Sequence, residues 1–275
     1  MTRLRLLAPI VLVLAAESSA LAQPSDPAAL NLAVPDFALV GLPTALRLPR
    51  FGSSFRVTHR FLRPLNDNFG DVLDDLFGID SGAQIGLEYR FGIVPNGQVG
   101  IHRTSNRTIE FFAQYAALRQ GDNAPVDISG LATIEGTNNF HEDNGVASST
   151  SPAFGAIISR AVRDVAAFYV EPIWVNNSSP DPSQLVDSND TFVIGLGARI
   201  RVRPTVYLVG EFAPRAAGYK PGVNHGSFGI EKRAGGHLFQ ANFSNAFGTT
   251  MAQIARGGAA SNDWTLGFNI SRKFF

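Results

Sequence analysis

Three groups of residues in this chain have types and spacings that could do chemistry. His225-Gly226-Ser227, with Asn224 beside it, offers a hydroxyl, a base and an orienting polar group, the ingredients of nucleophilic attack on an ester. Such a set works only when the three side chains meet in space, and neither a glycine-framed nucleophile elbow nor an H-E-x-x-H motif accompanies it. A surface lipolytic enzyme is therefore a minor reading, tied to Ser227, and no catalytic residue is assigned. His141-Glu142-Asp143 gathers three metal-capable side chains without metal-ligand spacing. Asp71, Asp74 and Asp75 hint at calcium, but the EF-hand spacing is absent. No metal site or cofactor is expected.

The larger set is a series of charges at alternate positions. Its acids are Glu88, Glu110, Asp127, Glu135, Glu171, Glu211 and Glu231, and its bases are Arg56, Arg60, Arg90, Arg199, Arg201, Arg233 and Lys273. Gln240 and Asn242 continue the same polar face. An ion-selective pore would collect one sign at its constriction. Balance points instead to cross-strand ion pairs that fill and stiffen an interior. Phe112, Leu131, Tyr169, Ile173, Tyr207 and Val209 fall on the same faces, which suits a narrow, partly plugged lumen and equally a route for an amphipathic solute.

Strands must position these groups. In residues 82–92, Ala83, Ile85, Leu87, Tyr89 and Phe91 alternate with Gln84, Gly86, Glu88 and Arg90. In 191–202, Phe192, Ile194, Leu196, Ala198 and Ile200 oppose Gly195, Gly197, Arg199 and Arg201. Trp264, Leu266, Phe268 and Ile270 repeat the pattern near the end. Noisier segments cover 52–62, 98–103, 107–118, 126–136, 153–161, 165–175, 205–214, 227–233 and 237–244. Long connections rich in Asn, Asp, Ser, Gly and Pro (63–81, 137–152, 176–190, 215–226, 245–262) alternate with tight turns, broken only by a short hairpin at Thr104–Asn106. This rhythm predicts an all-β fold, a single antiparallel transmembrane barrel of about 12 strands with loops outside and turns on the periplasmic side. Within the first long loop, residues 69–77 read as a short amphipathic helix, with Phe69, Val72, Leu73, Leu76 and Phe77 on one side. It would serve as a lid or simply rest on the rim.

The polar faces carry charge, so they must face a lumen and the apolar faces must face lipid. Outward Arg103, Arg160, Lys232 and Arg272 fall near strand ends, where a basic residue costs little; His59 is the least comfortable outward residue. Aromatics near strand ends (Phe55, Phe61, Tyr89, Phe91, Tyr115, Trp174, Phe192, Phe212, Phe239, Trp264, Phe274) would form the interfacial girdles. The outer loops are acidic overall and read as solvated surface.

Arg3 and Arg5, the apolar run Leu6–Ala16 and Ala20-Leu21-Ala22 read as a signal peptide (1–22) cleaved after Ala22. A Pro- and Ala-rich segment, 23–50, follows as a periplasmic tail or a plug, its apolar stretch Phe37–Leu42 arguing for packing against something. The barrel itself occupies 51–275. Lys plus Arg is 23 and Asp plus Glu is 23, so no electrostatic footprint for nucleic acid exists. With no Cys, lipoprotein anchoring, disulfides and thiolate metal sites are excluded. After residue 22 no run approaches the roughly 18 apolar residues of a membrane helix.

The stretches Arg50-Phe-Gly-Ser-Ser-Phe-Arg-Val-Thr-His-Arg-Phe61, Asp75-Leu-Phe-Gly-Ile-Asp-Ser-Gly-Ala-Gln-Ile-Gly86, Gly236-His-Leu-Phe-Gln-Ala-Asn-Phe-Ser-Asn245 and Gly267-Phe-Asn-Ile-Ser-Arg-Lys-Phe-Phe275 resemble an uncharacterised family of Gram-negative outer-membrane β-barrels, a domain of unknown function. The resemblance implies fold and outer-membrane location, with no substrate and no catalytic residue. The terminal Phe274-Phe275 resembles the signal by which such barrels engage the assembly machinery, although Phe274 and not Phe275 is in phase with the apolar face. Expected partners are therefore outer-membrane lipid, that machinery and an unknown small solute. The leading expectation is a narrow passive channel or small-solute conduit, and the alternative is a closed structural or interaction barrel displaying its loops.

Overall fold

The computed structural model describes residues 32–65, 70, 74, 78–79, 82–122, 124–137, 150–178 and 189–274. The signal peptide, the His141-Glu142-Asp143 cluster, Phe275 and nearly all of the 69–77 segment lie outside the described residues.

The strands are β1 (Ser53–Phe61), β2 (Ala83–Val94), β3 (Gly97–Thr104), β4 (Thr108–Leu118), β5 (Asp127–Thr137), β6 (Ser151–Val162) and β7 (Ala166–Val175). They continue with β8 (Thr191–Arg203), β9 (Val206–Ala213), β10 (Arg215–Ala217), β11 (His225–Ala234), β12 (His237–Ser244) and β13 (Thr265–Phe274). A helix, α1 (Met251–Arg256), lies in the last long connection.

Apart from the short β10, each strand pairs antiparallel with the next in sequence, β9 with β11, and β1 pairs with β13 to close the ring. Pro214 has no N–H to give the ladder, and it separates β9 from β10, which both pair with β8. Counted as one crossing, they reduce the 13-stranded sheet to a closed 12-strand barrel. Observed strand limits fall within two residues of the alternation except at β10, which lies inside a stretch expected to be loop.

Tight turns cluster at one end. Asn96 (φ 65°) between β2 and β3, and Gly235 (φ 57°) between β11 and β12, take the left-handed conformation that two-residue hairpins require.

Burial is inverted relative to a water-soluble barrel. Val170 and Leu196, register partners on β7 and β8, are 46% and 41% exposed, while Arg60, Arg199 and Glu231 are at most 1% exposed. Only a lipid surround makes that arrangement favourable. His59 is accommodated on the outer face by stacking on Phe268 at 4.6 Å. Arg272, near the end of β13, sits 5.2 Å from the Phe274 ring. Phe61 departs from the expected girdle: it is buried beside His59 and Phe268 rather than exposed.

Inside, the apolar lining gathers on one part of the wall, although Glu135, Glu171, Arg199 and Glu211 stand among it. Leu131, Ile157, Ile173, Val193 and Val209, from β5 to β9, form an apolar core with Leu39, Leu42, Met251 and Ile254. The inward residues of β1 to β4 and β11 to β13 are mostly polar. A segment from the N-terminal region and a helix from the last loop therefore fill the barrel.

Candidate functional site

Residues 37–44 form a hairpin inside the barrel. Leu39 N–H donates to Leu42 O and Thr44 N–H to Phe37 O, each at 2.8 Å. Its base is fixed at the tight-turn end. Arg47 pairs with Asp127 at 2.5 Å, Leu48 N–H donates to Gln98 Oε1 at 3.0 Å, and Lys273 Nζ donates to Pro35 O at 2.9 Å. Burial pulls the Arg47 guanidinium below its ordinary pKa, and Asp127 opposes that shift.

The tip meets the wall through both its side chains and its main chain. Leu39 and Leu42 seat over Gly197 and Gly195 of β8, where a Cβ at Gly197 would overlap Leu39 Cδ1. Beside them on β9, Glu211, the register partner of Gly197, accepts through Oε2 the N–H groups of Val40 (2.9 Å), Gly41 (2.9 Å) and Leu42 (3.0 Å), while its Oε1 accepts Gly41 N–H at 2.8 Å. The tip carbonyls take the bases. Ala38 O accepts Arg199 Nη2 at 2.6 Å and Leu39 O accepts Gln240 Nε2 at 2.9 Å. Val40 O accepts from Arg56 Nη2 (2.6 Å), Asn269 Nδ2 (3.1 Å) and Arg60 Nη2 (3.4 Å).

α1 enters from the long-loop end. Two of its otherwise unmet N–H groups are satisfied by acids of the wall: Met251 donates to Glu110 Oε1 (2.9 Å) and Ala252 to Glu135 Oε2 (3.2 Å). Gly257 closes the helix with φ 74°. A Cβ added to Gly41 would lie 3.0 Å from Ile254 Cδ1, so hairpin and helix touch near mid-barrel. They share a residual cavity of about 40 Å³ with Glu88, Arg90, His102 and Glu110 of the wall.

Arg56, Arg60, Glu88, Arg90, Glu110, Glu171, Arg199, Glu211, Glu231, Gln240 and Asn242 are all buried on inward faces. Arg201 and Arg233 share that face and are half-buried at the tight-turn end. The expected cross-strand pairing of these charges is only partly realised. Glu88 pairs with Arg90 at 2.9 Å along the same strand, and Arg199 with Glu231 at 2.7 Å across the intervening β9. Glu110, Glu135, Glu211, Arg56 and Arg60 bond instead to the main chain of the two inserted segments. The physical reason is reach: neighbouring inward residues leave room for a backbone between walls, and peptide dipoles then supply the partners. Among the described residues, both oxygens of Glu171, which is fully buried, lack a hydrogen-bond partner.

Ser227 and His225 are inward and buried. Ser227 Oγ lies 3.2 Å from His225 Nε2, but the same nitrogen also meets Glu211 Oε1 at 2.8 Å, leaving Nδ1 without a partner. A relay needs the acid on one ring nitrogen and the hydroxyl on the other. Asn224 faces Arg215, away from this pair. The arrangement structures the wall and does not present a nucleophile to lipid. Among the described residues no His, Asp or Glu cluster could hold a metal ion.

Sequence reasoning missed the two plugs as partners of the wall charges. It treated 245–262 as plain loop, although Thr250 before Met-Ala-Gln-Ile-Ala-Arg and then Gly257 is a legible start and stop for a short helix.

A family model described as "membrane bound beta barrel domain (DUF5777)" matches residues 39–274. Comparison with curated proteins gives no match. Among solved structures, the COG4313 outer membrane channel from Pseudomonas putida F1 is similar at 12% identity and TM-score 0.50, covering 84% of this chain and 98% of that one. The outer membrane protein Omp33 of Acinetobacter baumannii aligns at 11% identity over 82% of this chain and 98% of that one, with a TM-score of 0.43. The likeness to the first is one of fold.

Proposed function

We propose, from the premise that the chain belongs to the membrane bound beta barrel domain family (DUF5777), that it is an outer-membrane conduit for a small solute, closed in this state by its own N-terminal hairpin. One observation carries the reading. The lumen is closed by segments inserted from elsewhere in the chain, and the wall behind the hairpin tip remains charged and polar. A barrel that had only to be solid could fill itself with apolar side chains from its strands. Here inward Gly195 and Gly197 leave space that the hairpin takes up. The fold shared with a protein described as an outer membrane channel is compatible with this reading. Export by cleavage after Ala22, and assembly through the C-terminal strand, complete the proposal.

Planar-bilayer recording of the mature full chain against Gly41→Glu tests it. The new side chain would meet Ile254 and the Glu211 carboxylate, so it unseats the tip without altering the wall. The native barrel should show rare, small conductance steps and Gly41→Glu frequent, larger ones. If Gly41→Glu migrates as a folded, heat-modifiable barrel and stays silent, the conduit reading fails. The alternative, a closed structural barrel, would then hold; the small size of the cavity between hairpin, helix and wall is what favours it.

A further inference from the structure

Arg56 and Arg60 are a pair of buried charges without an ion-pair partner among the described residues. Both stand on β1 and are at most 4% exposed. Among the described residues neither has a carboxylate oxygen within 4.0 Å. Glu88, directly opposite Arg56 in the register, is engaged by Arg90. Among the described residues the Nε atoms of both arginines lack hydrogen-bond partners. Arg60 Nη1 also donates to Asn269 Oδ1 (2.9 Å) and His59 O (3.1 Å) and Arg56 Nη2 to Leu39 O (3.5 Å), all neutral acceptors, and the two guanidinium groups and Asn269 converge on Val40 O. Buried cations usually meet an anion, because a neutral carbonyl returns much less than their desolvation costs.

The group now held there has a definite polarity. The peptide unit between Val40 and Gly41 turns its C=O to Arg56, Arg60 and Asn269 and its N–H to Glu211. A carboxylate and an ammonium separated by one carbon present the same polarity over a similar span, with full charges at both ends. We propose that the hairpin tip occupies a site for small amino-acid-like zwitterions, whose carboxylate binds Arg56, Arg60 and Asn269 and whose ammonium binds Glu211. Arginine suits the carboxylate because its donors are arranged in a planar fork. The solute and the tip compete, so binding releases the hairpin, and the apparent affinity is lowered by the scarcity of the released state. This rests on the conduit reading for its role, though binding is measured separately from conduction.

The test uses the full chain in detergent micelles, with amide hydrogen exchange at Val40, Gly41 and Leu42 as the readout. L-alanine should accelerate exchange saturably, propionate less strongly, and propylamine or glucose should have no effect. Arg56→Gln with Arg60→Gln should weaken the L-alanine response at least tenfold. Asn269→Ala, a gentler change, should weaken it severalfold and serves if the double variant does not fold. No saturable response to L-alanine, or an equal response to glucose, overturns the site. An equal response to propionate overturns the assignment of the ammonium to Glu211. If Gly41→Glu conducts while L-alanine does nothing, this inference falls and the conduit stands. If Gly41→Glu is silent and the L-alanine response is normal, the site stands and the conduit falls.

Discussion

Replacing Glu211 by Gln should release the hairpin while leaving the barrel assembled. The carboxylate accepts N–H donors from Val40, Gly41 and Leu42 within 2.8–3.0 Å and also meets His225 Nε2 at 2.8 Å. A hydrogen bond to a charged group contributes about 1.5–3 kcal/mol, against about 0.5–1.5 for a neutral one. Gln keeps one acceptor oxygen and turns an NH₂ toward the remaining donors, so each of the three contacts loses on the order of 1 kcal/mol. The sum, about 3 kcal/mol, shifts the seated-to-released ratio roughly 100-fold, at 1.4 kcal/mol per tenfold. Leu39 and Leu42 still favour the seat over Gly197 and Gly195, so the tip would exchange between states rather than leave the barrel. Amide hydrogen exchange at residues 40–42 should accelerate by about that factor. Exchange on β7 and β8 should stay as slow as in the native protein. Unchanged protection of the three tip amides in a correctly folded Glu211→Gln barrel would refute the reasoning, because the tip would then owe its seat to the leucines alone.

Gly197→Val should also disturb the seat, since its Cβ would overlap Leu39 Cδ1; faster exchange at Leu39 and more frequent conductance steps would show it. Val170→Arg, at a lipid-facing position in the middle of β7, should lower stability by about 2–4 kcal/mol in reversible unfolding from lipid, whereas Phe192→Arg near a strand end should cost about 0–1. Arg199→Met alone leaves Glu231 buried without its ion-pair partner and should cost about 3–5 kcal/mol in the same assay. Adding Glu231→Leu should recover most of that loss, and failure to recover it would mean that Arg199 matters chiefly through Ala38 O.

The strands were legible because their two faces meet different media. Along β2, Ile85, Leu87 and Tyr89 are exposed to lipid and Glu88 and Arg90 are buried, and no other secondary structure reconciles that period with those chemistries. The start of β11 was less legible: His225 and Gly226 look like loop residues, yet they extend the strand because Gly226 and His225 register against Phe212 and Ala213. Partners of the inward charges were not legible at all. Arg199 reaches Glu231 over β9, a consequence of strand tilt that no single segment encodes. Arg56 and Glu211 find partners on residues far away in sequence, and those partners are peptide groups that every residue possesses. Balanced charge on the inward faces was a sound observation, but balance does not require pairing.

The composition of the hairpin tip explains why pairing could be avoided. Ala38-Leu39-Val40-Gly41-Leu42 contains no polar side chain, so it reads as an apolar stretch in need of cover. Inside the barrel its side chains find that cover on the apolar sector of β5 to β9. Its backbone, which must be hydrogen-bonded wherever it is buried, meets Arg199 and Glu211 of β8 and β9 as well as Arg56, Gln240 and Asn269 of β1, β12 and β13. A single short segment thus satisfies both the apolar and the charged side chains that line the lumen. Gly41 is the position where this depends on one residue: a Cβ would stand 3.2 Å from Glu211 Oε1 and 3.0 Å from Ile254 Cδ1. Had the tip carried its own Arg or Glu, release would expose new charges on both the plug and the wall. With only peptide dipoles on the plug, release leaves the charges on the wall, where a solute of matching polarity can take the vacated place.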